Sequence, residues 1–324
     1  MSISRGLLAG WLALVAVGTG LLVAAIVPAG PHWFGAAGAV IIGGAYSAGL
    51  AVRDGGRPII FGLLAVALGL ITVLTDYDLL RTGAAVSLAA TAAVFGVMVT
   101  VPTKGYLASA REATLGLVVA AVGGLGAIGF EPALHVQRFE YGALGLALLG
   151  AFALVYRLGA GLHGLGRRGL LVVAIGTALL ALTLLYAELL RRYGSTGLVD
   201  QLLQWVHDSR SSLGAFPRPI EALLGVPALV YGCHMRARRR QGWWVCAFGV
   251  AATAPTATAL ANPAITIHEA GLSVVYGLLI GVLIGWLVIR LDVAITGKPG
   301  RRRRRAVTHT DAVRPEPARW SPLL

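Results

Sequence analysis

Ten apolar stretches follow one another along this chain, near residues 7–27, 33–52, 59–74, 83–101, 113–130, 141–158, 170–190, 220–235, 243–261 and 270–291. A helix needs about 20 mostly apolar residues to cross the hydrocarbon core of a bilayer. Lipid offers no partner for backbone N–H and C=O groups, so such stretches are satisfied only as helices. The pattern predicts an all-α fold, a polytopic membrane bundle of about ten transmembrane helices. Composition excludes the soluble alternative: 57% of the 324 residues are hydrophobic, 13% are charged and mean hydropathy is +0.78. Soluble domains carry about 25% charged residues.

So apolar a chain nevertheless has a formal net charge of +13. Ten spans divide the connections into two alternating sets. One set, which includes both termini, holds 21 of the 27 basic residues and five acids, a balance of +16. The other holds Arg81, Arg138, Arg191, Arg192, Arg210 and Arg218 with nine acids, a balance of −3. Short cytoplasmic loops are enriched in Lys and Arg, so both ends are expected in the cytoplasm. Arginine far outnumbers lysine, and Ala, Gly, Leu and Val dominate the rest. That bias is typical of a high-GC bacterial genome, which places the chain in a bacterial cytoplasmic (inner) membrane. The first span reads as a retained helix, because its apolar run exceeds the 7–15 residues of a leader's h-region. Cys233 and Cys246 lie in apolar stretches and read as core residues, not as a disulfide.

Residues 1–296 form one transmembrane domain on this reading. It includes an outer segment, 191–219, in which Leu198, Leu202, Trp205 and Val206 recur at helical spacing opposite Asp200, Gln201, Gln204 and Asp208. This predicts an amphipathic helix on the outer surface. Residues 297–324 have too little apolar surface to fold and are expected to be a disordered basic cytoplasmic tail. Arg236, Arg238, Arg239 and Arg240, with Arg301, Arg302 and Arg303 of the tail, are candidates for contact with anionic lipids, at about 1 kcal/mol each. The bilayer is thus the expected partner. Nucleic acid is not, since the arginine run has no interleaved aromatics. Ser273, Gly277, Gly281 and Gly285 form a small-residue stripe for close helix packing within the chain.

Chemistry has two candidate locations. In the ninth span, Thr253, Pro255 and Thr256 put a helix break and hydroxyls near mid-membrane, and Pro227 breaks the eighth near Tyr231. Proline frees a backbone carbonyl, and broken helices line substrate sites in many transporters. Tyr231, Thr253, Pro255 and Thr256 are therefore the substrate-binding candidates. On the outer face, Asp76, Asp78, Glu131, His135, His268 and Glu269 are weaker candidates for acid–base work on a lipid-linked substrate. Asp-x-Asp is a short pattern, and His268-Glu269 lacks the second histidine of a zinc-binding helix, so no metal and no cofactor is expected.

Ten spans in 324 residues with cytoplasmic ends resemble the drug/metabolite transporter architecture, in which two five-span halves are inverted. The resemblance covers span count and topology. The first half has no breaks matching Pro227 and Pro255, and segment 191–219 has no counterpart there. The leading expectation is a permease or flippase of a small or amphiphilic molecule. The alternatives are an outer-face enzyme or lipid-binding factor of envelope assembly, and a non-catalytic scaffold acting through its tail.

Overall fold

The computed structural model describes residues 5–27, 29–75, 77–133, 135–157, 196–236, 243–263, 265–296 and 318–322, with isolated positions between 174 and 185. The described residues form ten α-helices and no strand. These are α1 (Arg5–Ile26), α2 (Trp33–Arg53), α3 (Pro58–Thr75), α4 (Asp78–Met98), α5 (Tyr106–Gly129), α6 (Val136–Arg157), α7 (Thr196–Leu213), α8 (Val226–Arg236), α9 (Trp243–Ala259) and α10 (Ile267–Thr296). A single π turn, Glu221–Gly225, leads into α8. The expected seventh span, 170–190, lies almost wholly outside the described residues.

Six helices, α1 to α5 and α10, are long and apolar enough to cross a membrane. Of the others, α9 has 17 residues and α8 has 11, each shorter than a full crossing. Helix α7 covers the segment whose periodicity predicts an amphipathic helix, and Trp205 on it is exposed.

The bundle is apolar outside as well as inside. About half of α2, α4 and α5 is buried, against about a tenth of α1 and α3. Leu63, Leu68 and Leu74 on α3, and Leu279, Leu283 and Leu291 on α10, all stand exposed. In water, an apolar surface of that extent would drive association; in lipid it is the expected outer face.

The interior is built from very small residues. Helices α4, α5 and α9 pack mutually, α6 lies against α4 and α9, and α2 joins α1, α3 and α5. At the α4–α5 crossing, a Cβ on Gly96 would stand 2.6 Å from Gly116 O, and one on Gly116 2.7 Å from Gly96 O. At the α5–α9 crossing, a Cβ on Gly124 would stand 2.6 Å from Ala257 O. Helices meeting backbone to backbone gain dispersion contact, the main source of helix attraction where water is absent. The predicted stripe on α10 serves the same end within the chain: Gly281 seats Val226, Gly285 seats Val230, and Ser273 Oγ donates to Phe216 O at 2.7 Å.

Polar contacts gather at the two ends of the bundle. At one, called here the basic end, Arg53 reaches Met98 O, Thr103 N–H donates to Cys233 O, and Arg157 pairs with Asp54 at 3.1 Å. At the other, the acidic end, Arg81 meets Glu131, Arg210 meets Glu269 and Tyr276 Oη donates to Leu213 O. The C-terminal turn at 318–322 departs from the expectation of a wholly disordered tail, because Arg319 and Trp320 find partners in the bundle at the basic end. The rest of the tail lies outside the described residues.

Candidate functional site

Two interrupted helices meet inside the bundle. Pro227 has no N–H to give, and in a regular helix its ring would strike the carbonyl four residues back. The chain meets this by widening just ahead of the proline: Val226 N–H bonds to Glu221 O, five residues back, which closes the π turn. Pro255 creates the second interruption within α9. Its missing donor falls at the Ala251 carbonyl, and there Gly225 of the π turn lies directly on the Ala251–Ala252 backbone. Any Cβ at position 225 would collide with that backbone, so glycine is required for the two breaks to touch.

The junction holds a carboxyl. Glu221 is fully buried, and among the described residues its carboxyl oxygens meet no donor in good hydrogen-bond geometry, with the Thr256 hydroxyl close by. Its side chain packs on Gly277 of α10, where a Cβ would stand 3.0 Å from Oε1. Thr256 and Arg218 are its polar neighbours. Arg218 is turned to other work: its Nη1 donates to Pro255 O at 3.0 Å and pairs with Glu140 at 3.3 Å. Thr256 Oγ1 donates to Ala252 O at 2.9 Å. A buried polar group without a donor costs about 1–3 kcal/mol, and more if charged. In membrane helices, ionisable groups held at such a cost mark functional sites.

Of the predicted substrate-binding residues, Thr253, Pro255 and Thr256 lie on α9, which carries the second interruption, and Tyr231 lies further along α8. Thr253 is fully buried and its hydroxyl crosses to α4, donating to Ala93 O at 2.8 Å. Thr258 Oγ1 bonds to Ala254 O and Pro255 O. The threonines of α9 thus spend their hydroxyl protons on backbone carbonyls, which leaves only their lone pairs for a ligand. Pro255 O is engaged by Arg218, and Tyr231 is half-buried on α8 beside the core.

On the acidic end, the candidates disperse into pairs. Glu131 meets Arg81 at 3.7 Å, and Glu269 meets Arg210 at 2.9 Å. Asp78 lies exposed in the first turn of α4, where its charge suits the helix N-terminus. His135 and His268 are exposed. Asp76 lies outside the described residues. Among the described residues, no three His, Cys, Asp or Glu side chains gather as a metal site. Of the lipid-contact candidates, Arg236 closes α8, while Arg238, Arg239, Arg240, Arg301, Arg302 and Arg303 lie outside the described residues.

Sequence reasoning missed Glu221 and Arg218, both assigned to an outer loop. A signal was present. The eighth apolar stretch reaches 16 residues only if it starts at Ile220, which already puts Glu221 inside it. No protein-family model, no curated protein and no solved structure matches the chain.

Proposed function

We propose that this chain is a permease-like transporter of a small or amphiphilic molecule in a bacterial cytoplasmic membrane, with ten spans and both termini inside. The charge balance of +16 against −3 supports that orientation. One observation carries the transport reading: a fully buried carboxyl, Glu221, at the contact of two interrupted helices, with no donor in good hydrogen-bond geometry among the described residues. Interrupted helices bring backbone dipoles to a membrane interior, where transporters bind substrate and coupling ion. In this account Glu221 holds and releases the coupling proton, Arg218 fixes the α9 break by its bond to Pro255 O, and Tyr231 borders the substrate's path. On the inner surface, Arg236, Arg238–Arg240 and Arg301–Arg303 contact anionic head groups.

Solute-jump currents test this reading on the full chain in proteoliposomes adsorbed to a solid-supported membrane, with a panel of zwitterionic, cationic and amphiphilic solutes. The expected result is a saturable current for one class, lost in Glu221→Gln. A current unchanged in Glu221→Gln would remove Glu221 from the mechanism. Silence across the whole panel would count against transport.

A further inference from the structure

We propose that the basic end of the bundle is a binding site for an arginine–tryptophan turn, filled in this structure by the chain's own residues 318–322. The inference is independent of the transport reading.

The site is built from buried charge. Glu112, in the first turns of α5, is fully buried. Its carboxylate accepts from Arg319 Nη2, 2.8 Å from each oxygen, from Val101 N–H at 3.1 Å, and from the exposed Arg111 at 3.0 Å. Arg53, which closes α2, is fully buried as well. Its Nε donates to Met98 O, and its Nη1 donates to two tail carbonyls, Ala318 O at 3.0 Å and Ser321 O at 2.7 Å. The tail is shaped to present those carbonyls together, because Ser321 N–H closes a turn on Ala318 O. Arg319 Nη1 adds a bond to Val99 O at 3.1 Å.

The next residue of the turn meets an aromatic wall. Trp320 packs on Trp11 of α1 with ring centroids 5.0 Å apart. Trp11 is itself fixed by its Nε1–H bond to Ala45 O at 2.8 Å and by an edge contact with Phe95. The pit therefore supplies a carboxylate for a guanidinium, a guanidinium for turn carbonyls and an indole for an indole. A buried ion that loses a counter-charge is destabilised, and Arg319 is the guanidinium that meets both oxygens of Glu112 inside the pit, beside the exposed Arg111. The ligand class that satisfies all three walls is a cationic–aromatic peptide turn.

The occupied pit joins α1, α2 and the α4–α5 connection through residues from a distant part of the chain. The turn is thus a latch: separating these helices at the basic end requires the turn to leave. Both probes of this idea alter only the tail. The first is trypsin cleavage of the Arg319–Trp320 bond in the full-length protein in micelles, read by mass spectrometry of the released 320–324 peptide. Cleavage of a docked segment follows its open population, so the wild-type bond is expected to be cut roughly tenfold or more slowly than in a free 315–324 peptide. In Trp320→Ala the bond should be cut at nearly the rate of its own free peptide. The second probe is fluorescence anisotropy with a labelled 315–324 peptide. It is expected to bind full-length Trp320→Ala, whose own turn has left the pit, and to bind wild type far less. A wild-type bond cut as fast as the free peptide, equal protection in Trp320→Ala, or equal peptide binding by both proteins would each overturn the proposal.

Discussion

Gly124→Ala probes the close α5–α9 crossing. The new methyl would stand 2.6 Å from Ala257 O, 3.1 Å from its carbon and 3.3 Å from its Cα, where ordinary contact begins at 3.4 Å. All three atoms are backbone, so no side chain can swing aside, and α5 and α9 must part locally by about 0.8 Å, a separation large enough to forfeit a quarter to a half of the dispersion well at each contact. Overpacking of this kind costs about 1–3 kcal/mol. Replacing a helical glycine by alanine returns up to about 1 kcal/mol of helix propensity. Gly20→Ala on α1 isolates that second effect, since a Cβ there meets nothing within 4 Å. The difference between the two variants therefore reports the steric cost alone. In thermal unfolding of the purified protein, Gly124→Ala should lower the midpoint while Gly20→Ala leaves it unchanged or raises it. Equal shifts in the two variants would refute the backbone-to-backbone crossing.

Other substitutions separate structural from functional roles. Thr253→Val keeps side-chain shape but removes the bond to Ala93 O; it should cost about 1 kcal/mol in unfolding and leave the solute dependence of transport unchanged. Altered solute selectivity in that variant would return Thr253 to the binding site. Glu131→Gln breaks an exposed pair with Arg81, and denaturation should register well under about 1 kcal/mol. Burial raises the pKa of Asp54 at the basic end, and Arg157 opposes the rise. Folded Asp54 thus keeps its proton to higher pH than the unfolded chain does, so its contribution to stability falls as pH climbs from the ordinary carboxylate range through the raised value. Arg157→Gln should widen that window, as read from unfolding midpoints across pH; an unchanged pH profile would show that the pair does not matter.

Much of the scaffold is legible in the chain because lipid enforces simple rules. Apolar length marks α1 to α5 and α10, helical spacing marks α7, and the small-residue stripe of α10 lands on Val226 and Val230. What sequence reading loses is the burial of charge near helix ends. Arg53 and Glu112 lie where a loop residue is expected and Glu221 at the very start of the eighth apolar stretch, and each is fully enclosed. Their partners come from far along the chain, Arg319 for Glu112 and the 318–321 turn for Arg53, and local periodicity carries no trace of such pairings. The site is half legible for a similar reason. Pro227 and Pro255 announce two breaks, yet only the fold reveals that Gly225 brings them into contact around Glu221.

Carbodiimide labelling of the full chain in native-like vesicles tests whether Glu221 exchanges a proton inside the bundle. Dicyclohexylcarbodiimide is apolar and reacts with protonated carboxyls that it reaches from the lipid phase. Peptide mapping should find the adduct on Glu221 and little on the exposed Glu131, with the label abolished in Glu221→Gln. A Glu221 that stays unmodified while exposed carboxyls react would contradict a proton-exchanging carboxyl inside the bundle.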